Sequence, residues 1–141
     1  MANSLKIIFD VNIWVSAVIG KKVEQQVQAI ILQENVEIIA CSQLFEELEQ
    51  TLQKPKLQKY ITPERVKLAM DLVKLSSTVV NPYSTIKFCR DDKDDYLLAL
   101  AKDAQVDFLL TGDEDLLVLK HFEKARIMNL AGYFILMKNA T

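Results

Sequence analysis

Short apolar runs take turns with longer amphipathic stretches along the chain, and this alternation restricts the fold more than any other feature. Leu5 to Phe9, broken only by Lys6, reads as a buried strand that ends at Asp10. Asn12 is placed to cap a helix that begins at Ile13. Gly20, Lys21 and Lys22 interrupt that helix, and Val23 to Gln33 resumes it with Val27, Ile30 and Ile31 as a buried stripe. Val36 to Cys41 is a second strand, and Ser42 is a natural cap for a helix from Gln43 to about Gln53. Leu44, Leu48 and Leu52 give that helix its apolar face, and Pro55 ends it. Thr62 caps and Pro63 opens a helix that runs to about Leu75. Thr78 to Val80 reads as a short strand, and Asp91 or Asp92 as the cap of a helix from about Lys93 to Ala104. Asp107 to Leu110 is an apolar strand, Asp113 to Leu119 a helical turn, and Arg126 to Met128 a last strand before a terminal helix. Strands separated by helices pair in parallel and need cover on both faces. The expected fold is therefore a three-layer α/β/α domain over residues 1–141 with a central, mostly parallel sheet.

A chain of 141 residues can bury enough surface to fold without staples. Cys41 and Cys89 form no CxxC pair, which argues against a structural zinc site or a disulfide framework and for buried thiols. The net charge of −2 disfavours a non-specific nucleic-acid coat but leaves room for an enzyme whose acidic site offsets basic residues elsewhere. Neither a signal peptide nor an apolar run long enough to span a membrane is visible, so the expectation is a cytoplasmic protein.

The acids are placed more informatively than they are counted. Asp10 lies at the carboxyl end of the first strand, Glu47 early in the helix after the second, and Asp113 just beyond the strand Asp107 to Leu110. Asp95 lies in the first turns of the helix before that strand. Open parallel sheets bind ligands beyond the carboxyl ends of their strands. Like charges gathered there repel, by about 4 kcal/mol for a pair about 4 Å apart at an effective dielectric of 20, unless a cation occupies the centre. All-oxygen donors favour Mg²⁺ or Mn²⁺ over zinc. The alternatives are thin: the one histidine, His121, reads as solvent-facing, and no G-x-x-x-x-G-K-[ST] or G-x-G-x-x-G is present.

These acids sit in runs that resemble the PIN-domain ribonuclease family. Phe9-Asp10-Val11-Asn12-Ile13 looks like its opening D-x-N-hydrophobic motif, and Ser42 to Leu48 like its second, with a glutamate early in a helix. Cys89 to Ala101 is similar to the third, and Thr111-Gly112-Asp113-Glu114-Asp115-Leu116 to the fourth, T-x-D-x-D-[FL]. Four motifs in order, over nearly the whole chain, make a specific pattern where any one would be weak. Gln53-Lys54-Pro55-Lys56 further resembles a segment of the branch formed by toxins of toxin–antitoxin pairs.

What the resemblance implies is an RNA-cutting enzyme that uses Mg²⁺ or Mn²⁺, often dimeric and often held inactive by a small antitoxin. Carried over residue by residue, it makes Asp10, Glu47, Asp95 and Asp113 the catalytic, metal-binding acids. Asp115 becomes a further acidic group, and Asn12 and Thr111 the residues that orient them. Glu46 competes with Glu47, and Asp94 with Asp95; Glu47 is preferred because Glu-Leu closes the motif, and Asp95 for its spacing to Leu98 and Ala99.

Lys54, Lys56 and Lys59, with Arg65 and Lys67 nearby, form a basic segment suited to RNA phosphates, or else a solvated connector. Trp14 and Phe45 read as core. Three rivals stand against the nuclease: a receiver-like Mg²⁺-binding switch, which wants adjacent acids where this chain has only Asp10; a D-x-D phosphatase, whose third position is here Asn12; and a PIN-fold module that binds RNA or protein without catalysis.

Overall fold

A computed structural model describes residues 4–87 and 94–139. Its elements run β1 (Leu5–Phe9), α1 (Val11–Ile19), α2 (Lys21–Ile31), β2 (Val36–Ala40), α3 (Ser42–Leu52), a 3-10 turn (Pro55–Leu57), α4 (Pro63–Leu75) and β3 (Thr78–Val79). Then follow α5 (Asp95–Asp103), β4 (Phe108–Leu110), α6 (Glu114–Leu117), β5 (His121–Phe122), β6 (Ala125–Met128) and α7 (Leu130–Asn139). The strands form one sheet in the order β3-β2-β1-β4-β6-β5, parallel except for β5 on β6. Helices flank this sheet, and the expected three-layer α/β/α architecture is what the chain adopts.

The apolar runs are continuous because the central strands are covered on both faces. Ile7, Ile8 and Phe9 of β1 and Leu109 and Leu110 of β4 are fully buried, as parallel strands under helices must be. Leu44, Leu48 and Leu52 place one stripe of α3 in the core, at the four-residue spacing that stacks side chains on a helix face. Trp14 is buried and packs edge-on against Phe9, with centroids 5.1 Å apart, and Phe45 is buried as well.

Several local expectations need correction. Helix α1 starts at Val11, so Asp10 holds the cap position and Asn12 lies inside the first turn, exposed. Gly20 alone divides α1 from α2, in extended backbone, and Lys21 and Lys22 belong to α2. Cys41, not Ser42, precedes α3; the Ser42 amide instead donates to Asn81 Oδ1 at 2.9 Å. Strand β5 was not foreseen, because its turn into β6 carries no Gly or Asn: Glu123 takes the left-handed conformation there at φ 53°. Thr62 does cap α4, its hydroxyl accepting from the Arg65 amide at 3.3 Å, with Pro63 at the first helical position. Asp91, Asp92 and Cys89 lie outside the described residues. Cys41 is a buried free thiol.

Candidate active site

The strand order reverses direction between β1 and β4. The chain leaves β1 toward β2 and β3, then returns through α5 to lay β4 on the other side of β1. Connections diverge at such a switch point and open a crevice beyond the carboxyl ends of the strands. Register places three residues level at its floor. Phe9 pairs with Leu110, and Ile7 with Ile38, so one step past the strands come Asp10, Thr111 and Cys41. The Asp10 amide still donates to the Leu110 carbonyl at 2.9 Å, and the Thr111 amide to that of Met128 at 3.0 Å, so both residues leave a fixed ladder.

Thr111 is the hinge of the acidic cluster. Its side chain is fully buried, and its hydroxyl donates to Asp10 Oδ2 at 2.6 Å while accepting from the Asp113 amide at 3.0 Å. Asp113 in turn caps α6: its Oδ1 accepts from the Asp115 amide at 2.9 Å. One hydroxyl thus fixes the Asp10 carboxylate and the backbone that carries Asp113 and Asp115.

Burial pushes the Asp10 carboxyl above the ordinary aspartate range. The Thr111 hydroxyl and the Val11 amide pull it back, the negative charge of Asp113 raises it, and the Asn12 amide lowers it again. Among the described residues, no lysine or arginine forms an ion pair with it. A buried acid facing a second acid, with no basic partner, is costly unless a cation from outside the chain joins them.

The other side of the crevice comes from α3 and α5. Glu47 is half-buried and accepts at Oε2 from the Tyr96 hydroxyl at 2.8 Å, whereas Glu46 is exposed. Consecutive helical residues point about 100° apart, so only one of the pair can face the crevice. Asp94 and Asp95 are both buried, directly before and at the start of α5. Burial pushes the Tyr96 phenol far up, as do the charge of Glu47, the bond to it, and then Cys41 and Asp10. Burial, with the Glu47 charge adding, likewise raises the Cys41 thiol.

Tyr96 is the site residue that the sequence reading missed. Its one available signal was a polar-tipped aromatic beside Asp95, at the start of the otherwise apolar run Leu97 to Ala101. Lys54, Lys56 and Lys59 are exposed on the connector beyond α3, with the Lys59 ammonium 5.2 Å from the Tyr60 ring centroid.

Among the described residues, no three His, Cys, Asp or Glu side chains gather closely enough to enclose a metal ion. The fit to a divalent cation rests on donor chemistry and charge: hard carboxylate oxygens, one of them buried against another acid.

A family model described as a PIN domain matches residues 6–115. The chain belongs to the PIN domain family. The match spans β1 to α6 and so takes in Asp10, Glu47, Asp94, Asp95, Thr111, Asp113 and Asp115. PIN domains are generally nucleases that use divalent metals. The chain is also similar to an uncharacterized protein of Methanocaldococcus jannaschii, with 25% identity over 122 residues that cover 85% of this chain and 78% of that protein. Among the described residues, no helix is long and apolar enough to cross a membrane.

A groove of about 450 Å³ lies elsewhere, between α1, α2 and α4, and none of the PIN-motif acids lines it. Its walls include Trp14, Val27, Ile31, Leu68 and Leu72.

Proposed function

We propose that this PIN domain is a metal-dependent endoribonuclease that hydrolyses RNA phosphodiester bonds. The observation that carries the reading is the buried Asp10 carboxylate, fixed by Thr111, pressed by Asp113, and in no ion pair with a lysine or arginine among the described residues. In this reading Asp10, Glu47, Asp95 and Asp113 hold Mg²⁺ or Mn²⁺, with Asp115 as a further acid. Asn12 and Thr111 orient them. When bound, such an ion neutralises charge on the phosphate and lowers the pKa of the attacking water.

The chain's own part is to aim the carboxylates. Thr111 does so at Asp10 by hydrogen bonding, and the start of α6 does so at Asp113. Water attacks phosphorus directly, the P–O bond to one ribose oxygen breaks, and that oxygen takes up a proton as the water loses one; the RNA 2′-hydroxyl is not required. Lys54, Lys56 and Lys59 lie on the exposed connector that follows α3, the helix that carries Glu47, and would take the RNA backbone beyond the scissile bond.

The finer reading is a toxin of a toxin–antitoxin pair, acting in the cytoplasm as a homodimer or under a small antitoxin. The groove between α1, α2 and α4 favours a protein partner: Val27, Ile31, Leu68 and Leu72 give it a largely apolar wall.

The test is cleavage of single-stranded RNA by the purified chain. Cutting is expected in Mn²⁺ or Mg²⁺ and should stop in EDTA; undiminished cutting in EDTA, with contaminating nuclease controlled, would overturn the mechanism. A rival reading, a PIN fold that binds RNA without cutting it, draws on the lack of three gathered acids among the described residues. It predicts retained RNA with no products under any metal.

A further inference from the structure

Glu47 reaches the crevice on a side chain with three rotatable torsions, from a helix whose neighbouring glutamate is exposed. Ordering a glutamate is among the larger rotamer costs, so an unsupported Glu47 would spend its time in solvent. One group opposes that loss. The Tyr96 hydroxyl, on the first turn of α5, donates to Glu47 Oε2 at 2.8 Å and ties α3 to α5.

The chemical type of this partner matters. A lysine or arginine here would pair with Glu47 and cancel the charge that a cation needs. A phenol supplies one hydrogen bond and leaves the carboxylate charge whole. Among the described residues, Glu47 Oε1 has no partner. Asp95 precedes Tyr96 and is buried, so a single turn of α5 carries one candidate acid and holds a second through the phenol.

We propose that Tyr96 is a positioning residue: its hydroxyl holds Glu47 in the crevice without neutralising it. This rests on the metal-nuclease reading above. Tyr96 acts through Glu47 and touches neither substrate nor reacting atoms. Partners that orient metal-binding groups in this way typically contribute about 10–100-fold to metal affinity or activity.

The experiment is a double-mutant cycle on the full chain: the original, Tyr96→Phe, Glu47→Gln and the double variant. Mn²⁺ affinity is read by isothermal titration, and kcat and KM on single-stranded RNA separately. Tyr96→Phe keeps the ring and drops one oxygen. It is expected to weaken Mn²⁺ binding about 10–100-fold and to lower kcat by a similar factor, with KM for RNA within about twofold. In the Glu47→Gln background the same change should cost nothing further. Equal Mn²⁺ affinity and kcat in the original and Tyr96→Phe would overturn the proposal. So would an equal loss in both backgrounds, which is the signature of a helix tie independent of Glu47.

A measurement on the original chain alone guards against a variant that folds badly. In metal-free protein the ¹³C shift of the Glu47 carboxyl should stand apart from that of exposed Glu46, and coincidence of the two would count equally against the proposal. If the original neither binds Mn²⁺ nor cuts RNA, the nuclease reading fails without any variant, and this proposal falls with it. If the original does both and only the cycle fails, the nuclease reading stands and Tyr96 loses its role.

Discussion

Replacing Thr111 by Val removes one hydroxyl from the centre of the acidic cluster and leaves the side-chain shape almost unchanged. The hydroxyl makes two bonds, donating to the buried Asp10 carboxylate at 2.6 Å and accepting from the Asp113 amide at 3.0 Å. A hydrogen bond to a charged group contributes about 1.5–3 kcal/mol, and a partly buried amide left without its acceptor adds about 1 kcal/mol, so the loss should be about 2.5–4 kcal/mol. Unfolding entropy of about 2.1 cal/mol/K per residue over 141 residues converts this to a fall in Tm of about 8–14 °C.

The effect has a pH signature. Burial raises the Asp10 carboxyl despite the Thr111 bond, so its contribution to stability is full below the ordinary aspartate range and is lost as pH rises through the folded pKa. Without the hydroxyl, which favours the ionised form, that pKa rises further and the loss deepens. The gap between original and variant should therefore be widest above the folded pKa and narrow on acidification toward the ordinary aspartate range. Thr111→Ser is the control: it keeps the hydroxyl and loses one buried methyl, about 1 kcal/mol. Thermal melts in EDTA across pH decide the matter. A Thr111→Val melt within about 2 °C of the original, a Ser variant hurt more than Val, or a gap that ignores pH would refute the reasoning.

Two further substitutions probe the acids and the grip on RNA. Glu47→Gln should abolish cleavage while Glu46→Gln leaves most of it, because only Glu47 is half-buried and bonded to Tyr96; a cleavage assay giving the reverse order would show that α3 presents the wrong glutamate. Replacing Lys54, Lys56 and Lys59 together by Ala should weaken RNA binding and flatten its salt dependence, since fewer counterions are released. An unchanged affinity and salt slope would mark that segment as a solvated connector.

The sheet was legible in the sequence because burial on both faces writes itself into single stretches: Ile7-Ile8-Phe9 and Phe108-Leu109-Leu110 announce buried strands without reference to anything distant. The order of β1, α1, β2 and α3 followed from the same local evidence, as did the placement of Asp10 and Thr111 at strand ends. Local rules misled where two residues could serve one purpose. Asn12 and Ser42 are good caps by type, yet the preceding Asp10 and Cys41 take those positions, because the ladder from β1 and β2 sets where each helix starts. The β5–β6 hairpin escaped notice because Glu123 in its turn takes a conformation that sequence rules assign to Gly or Asn.

What no spacing along the chain could supply was convergence. Thr111 meets Asp10 across 101 positions, and Tyr96 meets Glu47 across 49. Helical periodicity says only that Glu46 and Glu47 point in different directions; which of them turns toward the crevice depends on how α3 docks its leucine stripe on the core. Sequence patterns record which face of each element is apolar. The contacts between polar groups on different elements exist only once those faces have packed, so the hydroxyls of Thr111 and Tyr96 gained their meaning from the fold.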